Sequence, residues 1–226
     1  MLVKVRNVQK NYTLGKTIVP ALRGINLSIR EGEFVSVAGA SGSGKSTLLN
    51  LIGCLDKPSS GEVWIGGRQV NLLSERELNA IRLKSIGFIF QAFNLISVLN
   101  VRENVELPLL IRKDISQKER GKRVARFIEA VGLTAQARQR PAELSGGQRQ
   151  RVAVARALVT YPKLVLADEP TANLDSKTGL EVIDLMQAIN REYKTTFVFS
   201  THDPKIMQRA SVIYHIEDGA LQSDMA

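Results

Sequence analysis

The stretch GASGSGKST, residues Gly39–Thr47, decides the fold of this chain. An apolar run that predicts a buried strand precedes it, and a helical pattern that stops before Pro58 follows it. The apolar positions of that predicted helix are Leu48, Leu49, Ile52 and Leu55. The spacing G-x-x-x-x-G-K-[ST] between a strand and a helix is typical of a loop that wraps phosphate groups. Its glycines let backbone N–H groups approach the phosphates, and the helix N-terminus adds positive potential.

Every position of this phosphate loop is a candidate nucleotide-binding residue, and two side chains have specific expected roles. We expect Lys45 to bridge the β- and γ-phosphates and the Ser46 hydroxyl to ligate Mg²⁺. The alternative is an ordinary glycine–serine turn, which the flanking strand and helix disfavour. The predicted nucleotide-binding positions here are Gly39, Ala40, Ser41, Gly42, Ser43, Gly44, Lys45, Ser46 and Thr47.

A second strand, in LVLADEP, ends in two adjacent carboxylates, Asp168 and Glu169. Residues at the carboxyl end of a strand project into the crevice where the phosphate loop also lies. We therefore expect Asp168 to hold Mg²⁺, mostly through water, and Glu169 to orient or deprotonate the attacking water. Two solvated acids at a strand end are the alternative, and it weakens beside a phosphate loop.

The segment LSGGQ, residues Leu144–Gln148, begins a basic helix without supplying a nucleophile or a metal ligand. Ser145, Gly146 and Gly147 offer a hydroxyl and unhindered N–H groups at the positive end of a helix. This composition predicts an anion site, although a glycine-containing helix start explains it as well. Two phosphate-binding devices in one short chain suggest two contacts to one nucleotide.

Three single residues are further candidates for the site. Gln91 follows the apolar run IGFIF, where its amide could reach Mg²⁺ or the attacking water. His202 follows TFVFS and could donate a hydrogen bond to a γ-phosphate, although a lone histidine is more often structural. Tyr12 could stack on an adenine ring.

The order of patterns predicts an α/β core interrupted by helices. Strand-like runs dominate residues 1–91 and strand–helix alternation returns in residues 162–226, whereas residues 92–161 have helical periodicity. We expect one domain with a helical subdomain over about 92–161. Of the net charge of +9, residues 112–156 hold 12 Lys and Arg against 4 Asp and Glu. Such a basic block suits a solvated face, an anionic membrane surface or nucleic acid.

Composition excludes other classes. The 226 residues suit one large domain, one cysteine allows no internal disulfide, and no apolar run approaches the ~20 residues of a membrane span. MLVKVRNVQK predicts a strand and not a secretory signal. The short ending VIYHIEDGALQSDMA leads us to expect no appended regulatory domain.

Together, GASGSGKST, Gln91, LSGGQ, LVLADE and His202 resemble the ATP-binding-cassette (ABC) ATPases in order and spacing, over almost the whole chain. The resemblance implies a RecA-like P-loop NTPase core with a mostly parallel sheet, an antiparallel β subdomain and an inserted α-helical subdomain. It also implies ATP and Mg²⁺ as cofactors, and a homodimer in which each LSGGQ segment covers the ATP of the other chain. By the same resemblance Asn173, Leu174 and Asp175 match the D-loop at the dimer interface, with Ala172-Asn173 departing mildly from many relatives.

The resemblance also implies which residues form the site. The implied catalytic residues are Lys45, Glu169 and His202, and the implied adenine-stacking aromatic residue is Tyr12. The implied Mg²⁺ ligands are Ser46, Gln91 and Asp168, and the residues acting in trans are Leu144, Ser145, Gly146, Gly147 and Gln148.

A narrower resemblance, carried by NLIGCLDKPSSGEVWIGG, RPAELSGGQRQRVAVARAL and ADEPTANLDSKTG, is to the lipoprotein-releasing and macrolide-exporting branch. It implies a membrane permease partner, sometimes a periplasmic adaptor, and a peripheral position on the cytoplasmic face of the inner membrane. The uncharged segment from Gln91 to Val101 is then expected to form the groove for the permease.

Two other classes use the same motifs. DNA-repair and chromosome ATPases insert long coiled coils, whereas here the phosphate loop and LSGGQ lie about 100 residues apart without sustained heptads. Translation-factor ABC proteins carry two cassettes in one chain, and this chain has one. We therefore expect no nucleic-acid partner.

Overall fold

A computed structural model describes residues 1–222, and the last four residues of the short ending lie outside the described residues. The strands are β1 (Val3–Leu14), β2 (Thr17–Ile29), β3 (Phe34–Ala38), β4 (Ser60–Ile65), β5 (Arg68–Gln69), β6 (Ile86–Ile89), β7 (Leu164–Ala167), β8 (Thr196–Thr201), β9 (Val212–Glu217) and β10 (Ala220–Leu221). The helices are α1 (Lys45–Ile52), α2 (Glu75–Ser85), α3 (Val101–Leu110), α4 (Gln117–Ala130), α5 (Gly146–Leu158), α6 (Ser176–Tyr193) and α7 (Pro204–Met207).

The central sheet has the order β10-β9-β3-β8-β7-β6 within the described residues. Its five longer strands run parallel, and only β10 is antiparallel to its neighbour. The short, apolar strands β3, β7 and β8 are buried along their whole length, as expected for strands covered on both faces. Their carboxyl ends, where the phosphate loop and Asp168 follow, therefore lie at one edge of the sheet.

A second, antiparallel sheet has the order β2-β1-β4-β5. It packs with α1 and one face of the central sheet in one hydrophobic cluster, which includes Val3, Ile25, Leu48 and Val198. Helices α3 to α6 pack on the opposite face around Phe127, Phe197 and Phe199. The alternation of Phe197 and Phe199 with Val198 places successive side chains of β8 in different clusters.

The α/β fold class, with its parallel core, antiparallel sheet and helical insert, is confirmed. Some local expectations were wrong. Helix α1 ends at Ile52, because Gly53 caps it and Cys54 adopts a left-handed backbone, so Leu55 lies outside the helix and is 47% exposed. Strands β9 and β10 were not predicted, because the polar and aromatic residues of β9 hide the apolar pattern of a sheet strand.

The helical run between β6 and β7 is also less continuous than its periodicity suggested. Turns and short 3₁₀ segments separate α3, α4 and α5. Their buried residues share one cluster with the central sheet, so the subdomain boundaries near residues 92 and 161 stay a prediction. Among residues 1–222, no helix combines the length and apolar character needed to cross a membrane.

Candidate nucleotide-binding site

The phosphate loop turns into α1 at Gly44, which caps the helix with φ of 108°. A Cβ at this position would lie 2.7 Å from the carbonyl oxygen of Ala21, so both the backbone angle and the space require glycine. The next residue, Lys45, is thereby fixed as the first residue of the helix, where its side chain is only 4% exposed.

The Lys45 ammonium lies within the loop that precedes it. Its Nζ donates hydrogen bonds to the carbonyl oxygens of Gly39 at 2.9 Å and Ala40 at 2.8 Å. It also lies 3.4 Å from Oε1 of Glu169, which comes from the end of β7. A nearly buried cation therefore stands between the loop and the second carboxylate predicted from the sequence.

Asp168 and two hydroxyl groups form the adjoining part of the site. Ser46 Oγ donates to Asp168 Oδ1 at 2.9 Å, and Ser200 Oγ donates to the same oxygen at 2.7 Å. Carboxylate and hydroxyl oxygens are the ligands that Mg²⁺ prefers, and a protein site for this ion often has few side chains because phosphates and water complete it. The pair Ser46 and Asp168 fits that chemistry, although no group of three or more His, Cys, Asp or Glu residues clusters as metal ligands in the described part of the chain.

Glu169 adopts a left-handed backbone with φ of 43°, two residues after the end of β7. Its N–H donates to Ser200 Oγ at 2.8 Å, so one hydroxyl contacts both acidic residues. Its Oε2 lies 3.5 Å from Nδ1 of His202, whose side chain is otherwise mostly exposed. The carboxylate is thus placed between a lysine and a histidine, facing the phosphate loop.

Ser200 was missed by sequence reasoning. It is fully buried at the end of β8, which pairs in parallel with β7 so that Ala167 lies opposite Phe199. The next residues in this register are Asp168 and Ser200. A hydroxyl at the end of an otherwise apolar run, next to the strand that ends in LAD, was the signal that could have revealed it.

A cavity of about 600 Å³ borders the phosphate loop on its β9 side. It is lined by Ala38 to Ser43, by His215 and other residues of β9, and by Asp218 of the turn that follows β9. Lys45, Asp168 and Glu169 do not line it. We place the chemistry at the polar cluster and not in this cavity, because the charged and hydroxyl groups converge there.

Tyr12 lies on β1, where its hydroxyl donates to Asp56 Oδ2 at 3.0 Å. The Lys10 ammonium lies 4.8 Å from the centre of the Tyr12 ring and donates to Asp56 Oδ1 at 2.7 Å. Partial burial, together with the Asp56 carboxylate, raises the pKa of the Tyr12 hydroxyl. Burial alone would raise the pKa of Asp56, but the hydrogen bonds from Lys10, the Lys57 backbone and Tyr12 lower it overall. The ring is held in place, and its contact with adenine stays a prediction.

Gln91 and the D-loop are joined through the backbone. The Asn173 side-chain amide donates to the Gln91 carbonyl oxygen at 2.8 Å. The Gln91 side chain is exposed, and its role toward Mg²⁺ stays a prediction. Asp175 caps α6 and accepts from the N–H groups of Lys177 and Thr178. The Thr178 hydroxyl, together with these N–H groups, lowers the pKa of its carboxyl group.

The LSGGQ segment begins α5 in a reciprocal cap. Ser145 Oγ accepts from the Gln148 N–H at 3.2 Å, and the Gln148 side chain accepts from the Ser145 N–H at 2.8 Å. A Cβ on Gly147 would lie 2.4 Å from Cγ2 of Thr178, so this glycine is required for close packing of α5 on α6. The buried Leu144 anchors the start of the segment.

The LSGGQ segment and the phosphate loop border different cavities of the same chain. A cavity of about 280 Å³ is lined by Ser145, Gly147, Gln148 and residues of α6. It shares no lining residue with the cavity beside the phosphate loop. Within the described residues, the two phosphate-binding devices predicted from the sequence therefore border separate cavities.

A phosphate loop between β3 and α1, with a lysine and two acidic residues at the neighbouring strand end, defines a P-loop nucleotide-binding protein. The profile of the family described as ABC transporter matches residues 22–172. The chain belongs to this family and is an ATP-binding, ATP-hydrolysing subunit.

Relatives match along nearly their full length. An uncharacterized ABC transporter ATP-binding protein of Methanocaldococcus jannaschii, MJ0796, is 48% identical over 99% of this chain and 96% of its own. The lipoprotein-releasing system ATP-binding protein LolD of Coxiella burnetii is 43% identical over 99% of this chain and 96% of its own. The fold matches the dimeric MJ0796 structure described as a post-hydrolysis state bound to ADP and Pi, with a TM-score of 0.89 at 48% identity, covering 98% and 97% of the two chains.

Proposed function

We propose that this chain binds Mg·ATP at the polar cluster, dimerises around it and drives a membrane permease of the lipoprotein-release or macrolide-export type. The observation that carries the proposal is the position of Glu169, held between Lys45 and His202 beside the Ser46–Asp168 pair. This arrangement offers a cation for phosphates, oxygen ligands for a metal and a carboxylate for water. It supplies each group that phosphoryl transfer to water needs.

In nucleotide binding, the Lys45 ammonium exchanges its contacts with the Gly39 and Ala40 carbonyls for phosphate oxygens. Ser46 and Asp168 would hold Mg²⁺, which would neutralise phosphate charge when bound. Ser200 keeps Asp168 oriented by its hydrogen bond at 2.7 Å. Tyr12 stacks on the adenine ring, with Lys10 behind its opposite face.

In hydrolysis, Glu169 orients the attacking water and accepts its proton. The left-handed backbone and the bond from its N–H to Ser200 fix where this carboxylate points. His202, 3.5 Å from Glu169, is placed to orient the carboxylate and to contact the γ-phosphate. Asn173 donates to the Gln91 carbonyl oxygen, and the Gln91 side chain would contact Mg²⁺ or the attacking water once ATP is bound.

The second contact to the nucleotide comes from another copy of the chain. One chain offers a phosphate loop and an LSGGQ segment that border separate cavities, so a head-to-tail pair uses both. The Ser145 hydroxyl and the N–H groups at the start of α5 then face the partner's γ-phosphate. The relative MJ0796 is described as dimeric in two solved structures, which supports this arrangement.

A groove of about 270 Å³ is the proposed permease contact. It lies between α2, β6 and α5 and includes Arg82, Phe88, Phe90 and Pro108. Its mainly apolar wall and its position next to Gln91 suit a short helix of a membrane subunit. The relatives named for lipoprotein release point to a permease of that type, and with it to a peripheral place on the cytoplasmic side of the inner membrane, sometimes beside a periplasmic adaptor.

The test is the mass of Glu169→Gln in solution. The amide keeps the shape of the side chain but is a poor base, so the variant binds Mg·ATP without turnover. Light scattering is expected to give a dimer in ATP and a monomer in ADP. The matched control, Glu31→Gln, changes an exposed carboxylate 4.0 Å from Lys163 and is expected to turn ATP over normally. A monomer in saturating ATP at high protein concentration overturns the proposal.

Co-purification tests the partner. Tagged chain extracted from membranes in mild detergent is expected to bring down an integral-membrane subunit, and substitution of Phe90 by Asp is expected to release it. Retention of the permease by the Phe90→Asp variant contradicts the groove assignment.

A further inference from the structure

The segment that follows β6 contains two consecutive residues in the left-handed backbone region. Phe93 has φ of 59° and Asn94 has φ of 49°, and neither is glycine. Asparagine tolerates this region, but a bulky residue such as Phe93 is strained in it, so we expect another part of the chain to hold Phe93 there. The segment begins at Gln91, two residues earlier, and its conformation therefore sets where Gln91 lies.

The group that holds the segment is Arg156, from the last turn of α5. Its Nη2 donates to the Phe93 carbonyl oxygen at 2.7 Å, and its Nη1 donates to the Asn94 carbonyl oxygen. One planar guanidinium thus contacts the carbonyls of both left-handed residues. Arg149, two turns earlier on α5, places its guanidinium 5.3 Å from the centre of the Phe93 ring.

Arg156 has no carboxylate partner among residues 1–222. It is half-buried, and burial lowers the pKa of its guanidinium. A cation in this setting without a counter-charge is a poor contribution to stability. The favourable interactions of the Arg156 guanidinium are its two hydrogen bonds to carbonyl oxygens.

The same segment is held on its other side by the D-loop. Asn173 donates to the Gln91 carbonyl at 2.8 Å, and Asn173 follows the strand end that carries Asp168 and Glu169. Arg156 belongs to the helix that begins with the LSGGQ segment. The segment from Gln91 to Asn94 is therefore held on one side by α5, through Arg156, and on the other side by the D-loop, through Asn173.

We propose that Arg156 is a positioning residue, which holds Phe93 and Asn94 in the left-handed conformation so that Gln91 and α5 keep one fixed relation during ATP-dependent dimerisation. The inference rests on the proposed function, because it concerns the closed dimer. It adds a residue that touches neither nucleotide nor metal. Loss of the Arg156 contacts lets the segment relax to ordinary backbone angles and leaves the phosphate loop unchanged.

The test places Arg156→Met in the Glu169→Gln background. ATP binding to the monomer, followed with a fluorescent ATP analogue at low protein concentration, is expected to stay within about twofold, because Lys45 and Ser46 are untouched. The ATP concentration for half-maximal dimerisation is expected to rise roughly 5- to 30-fold, the factor that corresponds to the usual cost of one left-handed residue. The matched control, Arg126→Met, removes an arginine of α4 that contacts Tyr193 and is expected to dimerise like the parent.

A rescue separates positioning from packing. Glycine adopts the left-handed region without strain, so Phe93→Gly added to Arg156→Met is expected to recover most of the lost dimerisation, relative to Phe93→Gly alone. Arg156→Lys keeps the charge but cannot hold both carbonyls. It is expected to need more ATP for dimerisation while its thermal unfolding stays normal. This variant keeps the test valid if Arg156→Met does not fold. Parental dimerisation by Arg156→Lys, or failure of Phe93→Gly to rescue, overturns the proposal. Failure of the Glu169→Gln parent itself to dimerise overturns the proposed function instead.

Discussion

The Ser200 hydroxyl links both acidic residues of the site, so Ser200→Ala is the substitution whose effect the structure defines best. The hydroxyl donates to Asp168 at 2.7 Å and accepts from the Glu169 N–H at 2.8 Å, and the residue is fully buried. A bond to a charged group contributes about 1.5–3 kcal/mol, and a buried N–H left without a partner costs about 1–3 kcal/mol. Because the two terms share one hydroxyl, we expect the free energy of unfolding to fall by about 2–4 kcal/mol.

Activity is expected to fall further than nucleotide binding. Without the bond from its N–H, the left-handed backbone of Glu169 loses its anchor, and misplacement of a reacting group by about 1 Å lowers a rate roughly 100-fold. We expect kcat for ATP to fall about 10- to 100-fold, with KM changed less than about threefold, because Lys45 and the loop are unaffected. Steady-state ATPase assays and urea unfolding measure both quantities.

Ser36 supplies the matched control. It is also a fully buried serine of the central sheet, on β3, but its hydroxyl has no hydrogen-bond partner within residues 1–222. Ser36→Ala is expected to change the free energy of unfolding by less than about 0.5 kcal/mol or to raise it slightly, with normal kcat. Equal effects of the two substitutions on stability and kcat would refute the role assigned to Ser200.

Three further predictions concern packing, reactivity and charge. Gly147→Ala places a methyl group 2.4 Å from Thr178 Cγ2 and is expected to lower the free energy of unfolding by about 1–3 kcal/mol. Thr178→Ser removes the Cγ2 methyl and is expected to restore most of that loss. A double variant that unfolds at the same temperature as Gly147→Ala refutes the packing role. Burial raises the pKa of Cys54 to about 11, so at pH 8 its thiolate is scarce and native alkylation is expected to be at least about 100-fold slower than in denaturant, and faster as pH rises; equal native and denatured rates contradict the burial. The basic residues 112–156 are expected to give at most weak DNA binding that fades steeply between about 50 and 200 mM salt, with ATPase activity independent of DNA; salt-resistant binding in a filter assay revives a nucleic-acid function.

The fold was predictable from the sequence where local and long-range signals agree. The phosphate-loop pattern predicts the strand before it and the helix after it. The apolar runs of β6, β7 and β8 are short, as in strands of a parallel sheet that is covered on both faces. Strand β9 was not predictable in this way. The half-buried Tyr214 and the exposed His215 give it no apolar alternation, and its pairing with β3 and β10 makes it a strand.

The candidate site was predictable in its residue types and less so in its contacts. Motif spacing predicts Lys45, Ser46 and Asp168 as site residues. The hydrogen bonds of Ser200 to the two acidic residues depend on the register of β7 and β8, which no local pattern specifies. The packing role of Gly147 was hidden for the same reason. Its neighbour Thr178 is 31 positions away in the chain, and only the crossing of α5 and α6 brings the two together.

The central claim is that the LSGGQ segment of one chain acts on the ATP held by another, and mixed dimers test it most directly. Lys45→Ala and Ser145→Arg are each placed in the Glu169→Gln background, so that one chain has a damaged phosphate loop and the other a blocked LSGGQ segment. Homodimers of either variant are expected to retain little ATP. In the mixed dimer one site combines the intact loop of the Ser145→Arg chain with the intact LSGGQ segment of the Lys45→Ala chain.

The measurement is retained ATP per dimer after rapid gel filtration, with a tag pull-down to show that mixed dimers form and thermal unfolding to show that Ser145→Arg, which alters the cap of α5, remains folded. The account predicts that mixing the two variants raises retention toward one ATP per dimer. Mixed dimers that form and yet hold no more ATP than either homodimer would contradict it.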